Sequence, residues 1–188
     1  MAVRTTHEQQ DDSLYFVTFT CYKWLHLFEI APAYDLVYHW FDYLLSRNIR
    51  VAGFVIMPNH LHLLLYFKEM KSSLTKVIAN GKRYLAYGII KRLDDEKNHE
   101  LLMMLEKGVT ESERRKGQLH KVFQSSFDAK LCFSPKFINQ KLNYIHTNPV
   151  NGKWNLADDI NRYPHSSASF YEFGECIYNN MIRVEDVM

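Results

Sequence analysis

A two-layer α+β sandwich of ferredoxin-like βαββαβ order is the fold this sequence predicts. Apolar runs of strand composition alternate with two amphipathic helical stretches in the order strand, helix, strand, strand, helix, and a last strand-like run follows at 127–133. A length of 188 residues suits one domain with a real core. The 47% hydrophobic content, with only seven Gly and five Pro, excludes a disordered or fibrous chain.

The elements follow in order. Met1 to Asp12 is polar and lacks the apolar core of a signal peptide, and no later run approaches membrane-spanning length, so a cytoplasmic protein is expected. Leu14 to Thr20 is β-branched and aromatic, the composition of a central strand. From Pro32 to Arg47, Leu36, Val37, Trp40, Phe41 and Leu44 recur at helical spacing. Ile49 to Met57 and His60 to Phe67 return to strand composition around the turn residues Pro58 and Asn59, which reads as a β-hairpin. Lys71 to Leu93 offers Ser72 or Ser73 as N-cap and puts Leu74, Val77, Ile78, Leu85 and Ile89 on one helical face.

Residues 94–121 are charge-rich and read as an insertion, with a short helix at Leu101 to Leu105. After the strand at Phe127 to Phe133, Ser134 and Pro135 begin a helix that turns Phe137, Ile138, Leu142 and Ile145 toward the sheet. Asn148-Pro149 ends it, because a residue before proline is disfavoured in the α region. The tail, 150–188, carries Trp154, Tyr163, Phe170, Tyr171 and Phe173, enough aromatics to pack back on the single 1–188 domain. A net charge of +2 is too small to indicate nucleic acid by itself. Cys21, Cys132 and Cys176 are scattered and signal neither a disulfide framework nor a zinc knuckle.

His60-Leu61-His62 falls on a predicted strand, where residues two apart share a face. Two imidazoles on one face suit a divalent metal, although a histidine pair on a half-exposed strand fits the same pattern. Tyr144 lies on the helix after the last strand, and as one of twelve tyrosines it reads equally as a packing residue.

Two separated motifs go further. Met57-Pro58-Asn59-His60-Leu61-His62-Leu63-Leu64-Leu65 and Tyr144-Ile145-His146-Thr147-Asn148-Pro149-Val150 together resemble the paired signatures of the REP-associated tyrosine transposases and related single-tyrosine HUH transposases of insertion sequences. The resemblance runs from about Tyr15 to Ser167, with Phe16-Val17-Thr18 on the first strand and Tyr163-Pro164-His165-Ser166-Ser167 in the tail. It implies a ferredoxin-like fold with a C-terminal helix bearing the tyrosine. It implies His60 and His62 as ligands of magnesium or manganese, and Tyr144 as the nucleophile. In relatives an amide one turn after the tyrosine completes the metal site, which points to Asn148. Residues four apart share a helical face, so Tyr144 and Asn148 can approach the histidines together, while an Asn before Pro is also an ordinary helix terminator.

The implied activity is single-strand DNA cleavage and rejoining beside a hairpin, through a 5′-phosphotyrosine and a free 3′-OH. Lys82, Arg83, Lys91, Arg92, Arg114, Arg115 and Lys116 are candidates for phosphate contacts, with solvated surface as the alternative reading of each. Tyr22, Tyr84 and Tyr87 are the competing nucleophiles. Relatives act as monomers or as dimers, which leaves a homodimer open. Three rival readings stand beside this one: an idle member that only binds hairpin DNA, a ferredoxin-like RNA-binding module, and a barrel oxygenase using HxH. The RNA module predicts aromatics on an open sheet face, and the oxygenase needs further His and Glu ligands on later strands.

Overall fold

The computed structural model describes residues 11–69 and 71–187; the expected polar start lies outside them up to residue 10. Four strands, β1 (Ser13–Thr20), β2 (Ile49–Met57), β3 (His60–Phe67) and β4 (Asp128–Cys132), form one antiparallel sheet in the order β2-β3-β1-β4. The helices are α1 (Leu27–Ile30), α2 (Tyr34–Ser46), α3 (Leu74–Asp95), α4 (His99–Lys107), α5 (Glu111–Arg114), α6 (Pro135–Thr147) and α7 (Ala168–Phe173). The protein is thus α+β, with the expected hairpin at its expected bounds. Helix α1 is too short to leave a periodic signal in sequence.

Strand alternation divides the molecule. Tyr15, Val17 and Phe19 of β1 and Leu61, Leu63, Leu65 and Phe67 of β3 face α2 and α3 in the larger core. Leu14, Phe16 and Leu64 point the other way and meet Ile138, Leu142 and Ile145 of α6. The expected two layers are therefore extended by a third. Strands β2 and β3 are apolar on both faces, and burying both requires cover on both.

Two close approaches fix the layers. Ala52 is an extra residue in β2, between the pairs Val51 with Leu65 and Gly53 with Leu64. A Cβ on Gly53 would stand 3.0 Å from Leu142 Cδ1, so the missing side chain lets α6 settle on the sheet. On the opposite layer a Cβ on Gly81 would meet the Trp40 ring at 2.3 Å, which is why α2 and α3 can pack so closely.

The 94–121 segment folds onto the body. Leu105 is fully buried, Leu101 and Val109 nearly so, and Glu113 closes a capping box with Thr110. The Glu113 carboxylate accepts from Lys121 Nζ at 2.8 Å, which is the main reason its pKa falls to about 2. Its charge-rich composition hides three apolar anchors.

The tail runs along the exposed edge of β2. Ile56 N–H donates to His165 O at 2.8 Å, Ser167 N–H to Phe54 O at 2.9 Å, and Ile182 N–H to Val51 O at 3.1 Å. These bonds cover a sheet edge that would otherwise be open to pairing. Among the described residues no helix is long and apolar enough to cross a membrane, and the three cysteines are free.

Candidate functional site

His60 and His62 lie on the face of β3 covered by α6, nearly buried, with ring centroids 4.7 Å apart. Each Nδ1 is held by its own partner. His60 Nδ1 stands 2.6 Å from Asn59 Oδ1. The Asn59 amide is itself oriented, since Nδ2 donates to Trp24 O at 3.0 Å. That arrangement places the proton on His60 Nδ1 and leaves Nε2 with a lone pair. His62 Nδ1 lies 2.6 Å from Thr18 Oγ1, because the β1–β3 register sets Thr18 directly opposite His62. With Thr18 accepting, His62 Nε2 is likewise a free donor atom for a ligand. Sequence reasoning gave Asn59 only a turn role and Thr18 none beyond its place in a motif; the register identifies Thr18.

Local backbone strain supports the same corner. Lys23 and Trp24 both adopt positive φ, 51° and 59°, a costly conformation for residues with side chains. The reward is position: the Trp24 ring packs edge-on against His60, with centroids 6.0 Å apart, and its carbonyl orients Asn59.

Helix α6 delivers the remaining groups. Ser134 caps it by accepting from Phe137 N–H at 3.3 Å, and Pro135 takes the first turn as expected. The Tyr144 ring lies 5.0 Å from His62, is 46% exposed, and its hydroxyl makes no hydrogen bond among the described residues. The helix ends at Thr147, but Asn148 does not leave the α region as expected. At φ −55° and ψ −45° it continues into a 3-10 turn over Asn148–Val150, with its N–H donating to Ile145 O. Pro149 removes one donor from the ladder, and the tighter turn absorbs the loss. Asn148 therefore stays on the face of Tyr144, with its amide 3.4 Å from His62 Nε2.

The donor set fits a divalent cation. Burial is the main cause that lowers His60 to about 4 and His62 well below its ordinary value, so both imidazoles are neutral at pH 7, the form that ligates. The Asn148 Oδ1 atom is buried and has no partner among the described residues. Exchanging the two ends of that amide, which are nearly isosteric, would turn this orphaned oxygen to His62. No group of three His, Cys, Asp or Glu side chains suited to a metal exists among the described residues, so the third protein donor would have to be this amide.

The predicted phosphate contacts are spread differently. Lys82 is half-buried and donates to Gln124 O at 2.6 Å and Ser126 O at 3.2 Å; burial lowers it to about 8. Arg83 donates to Asn80, Lys91 to Asp95, and Arg92 forks onto Asp35 at 2.7 and 2.6 Å. Arg114 pairs with Glu106 and Arg115 with Glu111, while Lys116 forms no ion pair among the described residues. The structure does not bring these residues to the histidines. Tyr84 and Tyr87 belong to α3, across the sheet from His60 and His62.

Cations near the site are others. Lys141 Nζ lies 4.8 Å from the Phe16 ring and 5.8 Å from the Tyr144 ring, and Lys153 Nζ lies 5.4 Å from Trp154, which packs on His60. Both fields reach the histidines, lowering His62 and His60 respectively. Lys130, Lys136, Lys141 and Lys153 form no ion pair among the described residues. No charge run marks them, which is why sequence reasoning passed over them.

The tail motif braces α6. His146 Nε2 lies 3.0 Å from Ser167 Oγ, and Tyr163 OH donates to Ile56 O at 2.8 Å. His165 stacks on Tyr34 with centroids 3.8 Å apart and bonds Tyr38 OH at 2.8 Å. The Tyr163-Pro164-His165-Ser166-Ser167 stretch thus ties β2, α2 and α6 together.

No family model and no curated protein matches the chain. Among solved structures, the REP-associated tyrosine transposase bound to a REP hairpin matches with a TM-score of 0.62 at 14% identity, covering 92% of this chain and 87% of that one. The two share a fold. A Deinococcus radiodurans protein described as a transposase covers 77% of this chain and 95% of its own at 16% identity, but its TM-score of 0.41 carries no argument.

Proposed function

We propose that the protein is a metal-dependent single-strand DNA transposase or endonuclease of the single-tyrosine HUH type, cutting and rejoining DNA near hairpin-forming repeats. The observation that carries this reading is convergence: α6 sets the free Tyr144 hydroxyl and the Asn148 amide over the one face of β3 that bears both histidines. The strand order β2-β3-β1-β4 with two helices on one face supports the ferredoxin-like reading. The shared fold with a protein bound to a REP hairpin supports hairpin DNA as the partner.

His60 Nε2, His62 Nε2 and the Asn148 amide oxygen would hold magnesium or manganese, which would supply positive charge to the scissile phosphate. Tyr144 contributes the nucleophile. Its oxygen bonds to phosphorus, the bond from phosphorus to the 3′ oxygen breaks, and the departing oxygen takes a proton to become a 3′-OH. The phenol proton passes to solvent. Attack of a 3′-OH on the phosphotyrosine reverses the step and joins strands. Because the ester is exchanged and not hydrolysed, no nucleotide cofactor is required. Thr18 and Asn59 hold the imidazoles in the ligating tautomer.

The RNA-module reading needs an open sheet face with stacking aromatics. Here α6 covers that face, and Phe16 is buried against His62 with centroids 5.6 Å apart.

The test is cleavage of a labelled single-stranded hairpin oligonucleotide with manganese, and again with a chelator. Cleavage should require the metal and vanish in His60→Ala and His62→Ala while circular dichroism stays native. Wild-type cleavage rates in either variant would rule the ligand assignment out.

A further inference from the structure

Leading away from Tyr144, α6 carries a row of groups that the cleavage step does not use. Phe137, Lys141 and Tyr144 are spaced four and then three residues apart and so share one face of the helix, about 10 Å from end to end. Phe133, just before the N-cap, extends the row. Its ring stacks on Phe137 with centroids 6.0 Å apart and planes 14° from parallel. Phe133 is 83% exposed, so the outer face of this stacked pair meets only solvent. Lys141 Nζ sits 5.2 Å from the Phe137 ring, between the aromatic pair and Tyr144. Lys130 and Lys136, exposed and without ion-pair partners among the described residues, flank the same end.

An exposed aromatic face costs hydration free energy unless something covers it, and lysines without acidic partners beside it favour a polyanion over a protein surface. A flat ring with cations alongside is the arrangement that binds single-stranded nucleic acid, since every base has a π-face and every linkage a negative charge. We infer that Phe133 is a base-stacking platform: the strand entering or leaving the Tyr144 site lays one nucleobase on the outer face of Phe133, while Lys141 and its neighbours hold the intervening phosphates. This rests on the proposed reading that a single strand occupies the Tyr144 site, and it adds a residue that positions the strand in register.

Binding is measured without chemistry, by fluorescence anisotropy in chelator and in a Tyr144→Phe background. The probe is a hairpin oligonucleotide with single-stranded extensions. Phe133→Ala should lower affinity by roughly 5-fold to 150-fold, the range for losing one stacked base, and Phe133→Trp should restore it. An abasic nucleotide moved one position at a time along the extension should reproduce that loss at one position. At that position Phe133→Ala should cost nothing further, because ring and base act as a pair. Since Phe133 is exposed, its melting temperature should match wild type, and this serves as the folding control. Unchanged affinity in Phe133→Ala, an equal loss at every abasic position, or no DNA binding at all would overturn the platform. If base-dependent binding holds but wild type never forms a Tyr144 adduct, the platform stands and the cleavage reading falls.

Discussion

At the scale of single residues, the site depends on atoms behind the histidines as much as on the histidines. Thr18 accepts from His62 Nδ1 in the arrangement that leaves Nε2 free, so Thr18→Val keeps the shape and removes the partner. Manganese affinity should fall by about 10-fold to 100-fold in a calorimetric titration, with cleavage reduced in parallel and the fold intact. His165 gives a separate prediction, away from the metal donors. Burial lowers it to about 4 from an ordinary 6.5, so between those values the unfolded chain binds a proton that the native protein does not. Its contribution to stability is complete above pH 6.5 and is lost as pH falls toward 4. Thermal melting followed from pH 7.5 to 4.5, roughly spanning that window, should show a shallower decline in His165→Gln than in wild type. Equal slopes would mean that His165 titrates in the folded protein as it does unfolded. The histidine pair was legible in sequence as two residues sharing one strand face, and Tyr144 only through the resemblance that the paired motifs carry. Thr18, Lys141 and Lys153 were not, because register and helix packing bring them there and no local pattern records either.

At the scale of elements, periodicity identified the long strands and helices, and caps placed their ends within a few residues. Ser73 and Ser134 both accept the N–H three residues on, as their sequence context indicated. What periodicity missed is the use of both sheet faces, since an unbroken apolar strand says that two faces are covered without saying by what. It also missed that Asn148 stays helical. Close packing of α2 on α3 makes a testable demand at Gly81, where a Cβ would fall 2.3 Å from the buried Trp40 ring. Alanine would gain roughly 1 kcal/mol in helix propensity, yet overpacking of this kind costs about 1–3 kcal/mol and here falls on a ring with nowhere to go. Gly81→Ala should therefore lower the midpoint of urea unfolding. A raised midpoint would show that the helices can separate without loss.

At the scale of the whole molecule, α6 packs on its own sheet and Tyr144 approaches His62 of the same chain, an arrangement in which the proposed centre needs no group from a second copy. Mixing His60→Ala with Tyr144→Phe should then restore no activity, whereas a dimer exchanging its tyrosine helices would regain it in the mixture. Charge is organised at this scale too. Arg92 is neutralised by Asp35, while Lys141 and Lys153 flank the centre without acidic partners among the described residues. Lys141→Gln and Lys153→Gln should each reduce the salt dependence of hairpin binding by about one unit of log–log slope, and Arg92→Gln should leave it unchanged. In the proposed reaction Tyr144 attacks phosphorus. A tyrosine nucleophile leaves protein covalently joined to DNA, whereas an activated water leaves none. Labelled single-stranded hairpin substrate incubated with manganese and run on a denaturing protein gel should show a band at the mass of protein plus the DNA 3′ of the cut. Tyr144→Phe, which still binds the hairpin, should show none. A band that persists in Tyr144→Phe, or wild-type cleavage with no band, would mean that Tyr144 is not the nucleophile.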